Sequence, residues 1–338
     1  MKGKQAILGH IGDHPVAVRY VDGKLDDVLV PDVDAPALGT VYRGIVDRPQ
    51  KGMGGAMVRL PEGTGFLRGV KNLSPGDAIT VQMSGYAEPG KAVPLTARVL
   101  FKSRYVIVTP YAPGVNVSRQ IRDEDKRDEL TVVGKASITD NGYGLIFRSS
   151  AADVDMDAVI EDLDIMMGRA EAVMAEDGSM PEMLLEGDDP HVLAWREWAD
   201  VKHVLTGSKD LNETGALDDL VDFTGVKAFL SHGSLFIEPT RALVAVDVNT
   251  GTHAPLETNL AAIRDLPRQM RLRGLGGQIT VDLAPVMKKD RKLLESTIKA
   301  SLRSCAVETE FVGWTPLGHI ELKRKRERAP TAPILKEL

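Results

Sequence analysis

Residues Ile237–Asp282 constrain the chain most: IEPTRALVAVDVNTGTHAPLETNLAAIRDLPRQMRLRGLGGQITVD. This stretch holds two short apolar runs, each ending in an acid. A bounded, Val-rich run as short as Ala242–Val248 suits a buried strand better than a helix. Alternate strand residues share a face. Ala245, Asp247 and Asn249 therefore point one way, and Val244, Val246 and Val248 the other. The second run, Gln278–Leu283, delivers Asp282 in the same fashion. If the two strands lie side by side, two carboxylates and the Asn249 carbonyl converge at one edge. Oxygen donors with no nearby His or Cys suit a hard cation such as Mg²⁺, or Mn²⁺ in its place. Such an ion activates water and neutralises charge on a phosphodiester under attack. The alternative is that the two acids only cap strands or turns.

A chain of 338 residues has room for about two or three domains. Its single cysteine, Cys305, excludes a disulfide framework and a Cys-rich zinc site. No apolar run reaches membrane-spanning length, and MKGKQAILGH carries no secretory h-region, so the simplest placement is cytoplasmic. The net charge of −6 argues against a nucleic-acid partner only on average. Residues 151–200 carry fifteen Asp or Glu against two Arg, a net of −13, which leaves +7 for the rest.

In chain order, VAVRYVDGKLDDVLV predicts a hairpin turning at Asp22-Gly23. Five short runs across residues 36–103, GTVYRGIV, GGAMVRL, GFLRGV, DAITVQM and TARVLF, predict a barrel. Such a barrel binds single strands by stacking bases on aromatics beside a basic groove. Phe66 and Tyr42 are the candidate aromatics, with Arg43, Arg68 and Lys71 as phosphate partners. RYVIVTPYA, ASITD and YGLIFRSS predict further strands, with a charged helix over SRQIRDEDKRDELTVV. An apolar stripe from Met156 to Met174 predicts a helix with its Met residues in the core. Residues 178–190 read as a loop. A second helix is expected over His191–Leu205, with Trp195 and Trp198 packing on one side. Thr258 is expected to cap a helix Asn259–Arg273, kinked at Pro267, with Leu260, Ile263, Leu266 and Met270 buried. Arg268, Arg271 and Arg273 near its end are candidates for phosphate contact. MKKDRKLLESTIKASLR and HIELKRKRER add basic surface.

Several segments together resemble the ribonuclease E/G family: Glu238, Ala242–Gly251, Glu257–Leu260, Arg268–Arg273, Gly276–Gly277 and Val281–Asp282. GTVYRGIV, GFL and PGDAITVQM resemble an S1-type barrel, and Ser118–Ile121, Gly144–Ser149 and GWTPLGHIELKRKR extend the likeness. The resemblance implies a mixed α/β (α+β) chain: a ribonuclease H-like and DNase I-like catalytic core with an inserted S1 (OB-fold) β-barrel. The implied segments are a ribonuclease H-like subdomain over 1–35 and 191–230, the barrel over 36–103 and a 5′-sensor-like region with its acidic helix over 104–190. A DNase I-like catalytic domain over 231–328 and a tail over 329–338 complete them.

The resemblance further implies an endoribonuclease acting on single-stranded RNA. Asp247 and Asp282 would be the metal ligands, with Asn249 supporting them. Arg119, Arg148 and Ser149 would be RNA contacts, the last two at the 5′-monophosphate. Three departures stand out. Met57 replaces a family aromatic, Ser149 replaces a Thr, and no Arg stands near Glu308 to complete the 5′ pocket. The Cys-pair motif through which family subunits share zinc is absent from these residues. No zinc-linked dimer is expected, and the oligomeric state stays open. Two rival readings also stay open: an RNA-binding module with little or no cleavage, and a ribosome-associated factor built on the barrel.

Overall fold

The computed structural model describes residues 3–88, 90–138, 142–207, 210–223 and 225–336. The chain divides into two compact units, one of residues 1–34 with 202–338 and one of residues 35–201.

The first unit opens with the antiparallel strands β1 (Lys4–Ile11), β2 (His14–Val21) and β3 (Lys24–Leu29). The β2–β3 turn has positive φ at both Asp22 (50°) and Gly23 (77°). That is the conformation a tight hairpin requires, and Asp-Gly adopts it at little cost.

In the second unit, β4 (Val41–Gln50), β5 (Gly55–Leu60), β6 (Gly63–Arg68), β7 (Ala78–Met83) and β8 (Val93–Thr96) form a closed barrel. The long strand β4 closes it, pairing β7 through Val41–Ile45 and β5 through Ile45–Gln50. The order β4-β5-β6-β8-β7 with β6 and β8 parallel is consistent with an OB fold. The fifth barrel strand is VPLT, not the expected TARVLF. Pro94 reads as a breaker, yet its carbonyl still accepts from Ser84 N–H at 2.9 Å.

The next sheet is built from β9 (Phe101–Lys102), β10 (Val106–Thr109), β11 (Gly114–Val117) and β12 (Gly144–Phe147). Helix α1 (Glu124–Ser137) starts later than its charge pattern suggests, because Asp123 caps it by accepting from Lys126 N–H. Ala136 and Ser137 end that helix rather than opening a strand, and Thr139 and Asp140 lie outside the described residues. Helix α2 (Met156–Met174) buries Val159, Leu163, Met166, Met167, Ala170 and Val173 in a core with the sheet.

Two expectations fail between residues 178 and 206. The expected loop contains β13 (Glu182–Leu185), which pairs with β4 on the outside of the barrel. The expected second helix is shorter, α3 (Pro190–Glu197), with Trp198 buried and Trp195 half exposed. The chain then extends into β14 (His203–Thr206), which pairs in parallel with β1 of the first unit's N-terminal sheet. β-branched Val204 and Thr206 favour that extended form.

The short helices α4 (Asp210–Glu213) and α5 (Ala216–Asp222) lead into a six-stranded sheet. Its strands are β15 (Lys227–Phe229), β16 (Ser234–Pro239), β17 (Val244–Asn249), β18 (Gly277–Asp282), β19 (Thr309–Trp314) and β20 (Ile320–Arg324). One face packs on α6 (Pro255–Leu272) and α7 (Arg291–Arg303). Helix α6 begins at Pro255, not at Thr258. Proline suits the first helical position, where its missing N–H has no partner to lose. Thr258 lies one turn in and donates to Ala254 O at 3.1 Å. The expected tail is a docked helix, α8 (Thr331–Leu335), whose Ile334 and Leu335 are buried. Thr331 Oγ1 donates to Leu272 O at 2.8 Å. Gly274, at φ +62°, makes this docking possible, because any Cβ there would lie 1.9 Å from Ala329 O. Residues 337 and 338 lie outside the described residues.

Candidate active site

β17 and β18 run parallel, with Ala245 opposite Thr280, Val246 opposite Val281 and Asp247 opposite Asp282. Val244, Val246, Val248, Ile279 and Val281 are buried against the helices. The period of two therefore turns Asp247, Asn249 and Asp282 onto the open face. All three are exposed, and the Asp282 side chain retains 61% of its accessible surface. Two acids stand side by side near the carboxyl ends of parallel strands, where α/β sheets place their ligands.

Two neighbours that the strand pattern did not single out support the pair. His319 Nε2 lies 3.4 Å from Asp282 Oδ1. Asn259, fully buried in α6, donates to Ala284 O at 2.8 Å and accepts from Ala284 N–H at 3.0 Å. This reciprocal pair pins the chain two residues after Asp282. An Asn amid apolar positions on a buried helix face was the available signal, since such a group needs partners.

Among the described residues no group of three or more His, Cys, Asp or Glu could hold a metal. Two exposed carboxylates with an amide oxygen on the same face fit a hard cation that keeps much of its water. They do not fit a closed zinc site, which needs four N or S donors.

Arg268 and Arg271 of α6, and Arg273 just past its end, are anchors rather than free phosphate contacts. Arg268 donates to both Asp265 oxygens and to Leu25 O. Arg271, only 8% exposed, donates to Asp26 and to Cys305 Sγ at 3.4 Å. Arg273 reaches Gln269 and Gly225 O, and burial with the neighbouring Arg268 pushes it down to about 10. Arg324, in the basic run after β19, is also buried and lies 3.5 Å from Cys305 Sγ. Burial raises the Cys305 thiol, but Arg324 and Arg271 outweigh it and hold it below its ordinary value.

In the barrel, Phe66 is half-buried on the outer surface beside Met57, its partner on β5. Its ring lies over Gly55, where a Cβ would meet Phe66 Cζ at 2.9 Å. Arg68 and Lys71 are exposed. Tyr42 is not a platform: it is 2% exposed and packs in the barrel core. Burial, with Glu62 adding to it, pushes its phenol up to about 12. Arg43 is 5% exposed, ion-paired with Glu182 and Glu176, and donates to Met180 O. Neither residue is open to RNA in this conformation.

In the remainder of that unit, Arg119 and Ser149 are exposed. Arg148 donates to Ser103 O at 2.6 Å and to Glu197 at 2.7 Å. Burial would raise Glu197, but Arg148 and Arg196 hold it below the usual carboxylate range. In the first unit, Glu308 pairs with Lys325 at 2.6 Å.

The family profile described as the Ribonuclease E/G family matches residues 101–215 and 216–327, so the chain belongs to that family. Ribonuclease E of Nostoc sp. is 27% identical, over 96% of this chain and 56% of the relative. Ribonuclease E of Synechocystis sp. is 29% identical, over 96% and 57%. Ribonuclease G of Escherichia coli (strain K12) is 25% identical, over 97% and 81%. The chain thus spans a little over half the length of the two ribonuclease E relatives. Among the described residues no helix is long and apolar enough to cross a membrane.

Proposed function

We propose that this chain is a metal-dependent endoribonuclease that hydrolyses single-stranded RNA to 5′-phosphate and 3′-hydroxyl ends, acting in cytoplasmic RNA processing or decay. The observation that carries the reading is the register of Asp247 against Asp282 on an open sheet face. These two carboxylates would hold Mg²⁺, or Mn²⁺ in its place. When bound, such an ion supplies Lewis acidity toward water and neutralises charge on the phosphodiester. Asn249 orients groups at the same edge through its amide. His319 steadies the Asp282 carboxylate, and Asn259 fixes the chain that follows it. Phe66 supplies a stacking face on the barrel, with Arg68 and Lys71 for the backbone phosphates. Arg119 and Ser149 add phosphate donors. Arg148 joins them only by exchanging Glu197 for a phosphate, which a guanidinium fork accepts in the same geometry.

In this reading the β1–β3 sheet with β14 belongs to a ribonuclease H-like subdomain, and the six-stranded sheet to a DNase I-like one. The decisive comparison is Asp247→Asn against wild type on a labelled single-stranded oligoribonucleotide, with and without EDTA. Metal-dependent cleavage lost in the variant, with RNA binding retained, supports the assignment. Equal cleavage by both proteins refutes it. The alternative, an RNA-binding protein without cleavage, draws on Arg148 being held by Glu197. Tight binding with no cutting in Mg²⁺ would favour it.

A further inference from the structure

The open face of the six-stranded sheet continues past Asp247. Phe236 on β16 is the register partner of Asp247. Lys227 on β15 is in turn the partner of Phe236. Phe229 lies opposite Ser234, and Ser234 opposite Asn249. Directly opposed residues share a face. The other face is occupied: Ala228, Leu235, Ile237 and Val246 are buried with the helices. Lys227, Phe229 and Phe236 therefore stand on the side of Asp247 and Asn249.

These aromatics are not core. Phe229 keeps 78% of its surface exposed, and Phe236 is half-buried. The Lys227 ammonium lies 4.8 Å from the Phe229 ring centroid and 5.5 Å from that of Phe236. Cation–π attraction at these distances keeps the ammonium beside both rings. An exposed aromatic such as Phe229 on the edge strand β15 invites unwanted pairing and needs a reason to be there.

We propose that Phe229, Phe236 and Lys227 form a shelf that seats a nucleobase of the RNA next to the scissile phosphate, and so help select which linkage meets Asp247 and Asp282. The inference rests on the nuclease reading above. Its occupant is a base of a single strand. Each base offers a π-face to the rings, and its own phosphate offers an anion to Lys227. Phe236 is one strand away from Asp247, so the base seated there belongs to a nucleotide adjoining the cut.

The test is a coupling cycle on the full chain in Mg²⁺. Oligoribonucleotides with one abasic position on either side of a mapped cleavage site are compared with the intact strand, using wild type, Phe229→Ala and Phe236→Leu. Loss of the seated base is expected to lower wild-type kcat/KM about tenfold, the scale of one base–aromatic stack. Phe236→Leu should lose a similar factor on intact RNA and little more on the abasic strand, because ring and base act through each other. Phe229 is so exposed that its replacement should leave the fold intact, and thermal melts check the same for Phe236→Leu. Penalties that simply multiply at every position would overturn the shelf while leaving the nuclease standing. If wild type cuts nothing, the nuclease reading fails instead. Base seating is then read by fluorescence anisotropy with the abasic position walked along the strand, where losses coupled to the variants at one position support the shelf and independent losses at every position overturn it.

Discussion

Neutralising one of the paired acids should separate stability from activity. Asp247 and Asp282 are register partners on adjacent parallel strands, and such strands lie about 4.8 Å apart. Two exposed unit charges at that separation repel by about 1 kcal/mol in water, and less in salt. Among the described residues the Asp247 carboxylate makes no hydrogen bond that its loss would orphan. Asp247→Asn should therefore leave metal-free stability unchanged or raise it by up to about 1 kcal/mol. The cost falls on the metal. Loss of even an outer-shell partner lowers metal affinity roughly 10–100-fold, and a direct ligand should cost at least that. For wild type, Mg²⁺ at a hundred times its Kd adds about 2.7 kcal/mol to the unfolding free energy. That increment should nearly vanish in the variant, along with cleavage. Urea unfolding with and without Mg²⁺, beside a cleavage assay, reads both quantities. Two results would refute the reasoning: wild-type cutting by the variant, or a metal-free destabilisation beyond about 2 kcal/mol, which would make Asp247 a structural cap.

Five further outcomes follow from the geometry. Asn259→Ala leaves both Ala284 backbone groups unpaired in a buried site, so urea unfolding should show a loss of about 3 kcal/mol and kcat should fall more than KM changes. Tyr42→Ala should cost about 3–5 kcal/mol of stability as a core deletion. Phe66→Ala should change stability little and weaken oligoribonucleotide binding by about 1–3 kcal/mol, measured by anisotropy. Burial would raise Asp265, but Arg268, Gln269 and Lys24 hold it down at about 2. Its contribution of about 2 kcal/mol is complete above the ordinary carboxylate value and lost as pH falls through about 2. Acid unfolding of Asp265→Asn should lack that slope. Glu197→Gln should free Arg148 and raise affinity for a 5′-phosphorylated oligoribonucleotide over its 5′-hydroxyl counterpart, a difference that competition binding would detect.

The acid pair was legible because a strand's two-residue period is short-range information. Once ALVAVDVN and QITVD are read as strands, the faces follow, and parallel pairing puts Asp247 opposite Asp282. The hairpin at Asp22-Gly23 and the stripe of α2 were legible for the same local reason. What was not legible depends on distant partners. Tyr42 and Arg43 are adjacent on β4, so at most one should face the barrel core and the other should be free. Both are buried: Tyr42 packs in the barrel core, while Arg43 is enclosed by residues 176–182 through Glu176, Met180 O and Glu182, and nothing local in that Pro- and acid-rich segment announces β13. Arg268 and Arg271 look like helix-end cations until Asp26 and Leu25, far back in the sequence, supply their acceptors. His319 became visible only when the turn between β19 and β20 brought it to Asp282.

The same long-range pairing changes what the charge distribution means. By composition, the stretch 151–200 carries a net of −13 against +7 for the rest of the chain. In the folded unit much of that acid is consumed locally. Glu176 and Glu182 neutralise Arg43, Asp188 and Glu197 flank Arg196, and Glu197 also holds Arg148. Asp162 accepts from Tyr105 N–H and from the Ser103 hydroxyl. Each of these ion pairs offsets acidic charge and occupies a guanidinium that could otherwise meet a phosphate. Both the acidic excess and the basic excess therefore overstate the field an approaching strand would meet. Cations left without acid partners among the described residues, such as Arg68, Lys71 and Arg119, count for more than the totals suggest. Arg148 is different in kind: its guanidinium already holds a carboxylate, so a phosphate can bind there only by outcompeting Glu197. This makes recognition at that position a question of exchange between two anions rather than of attraction.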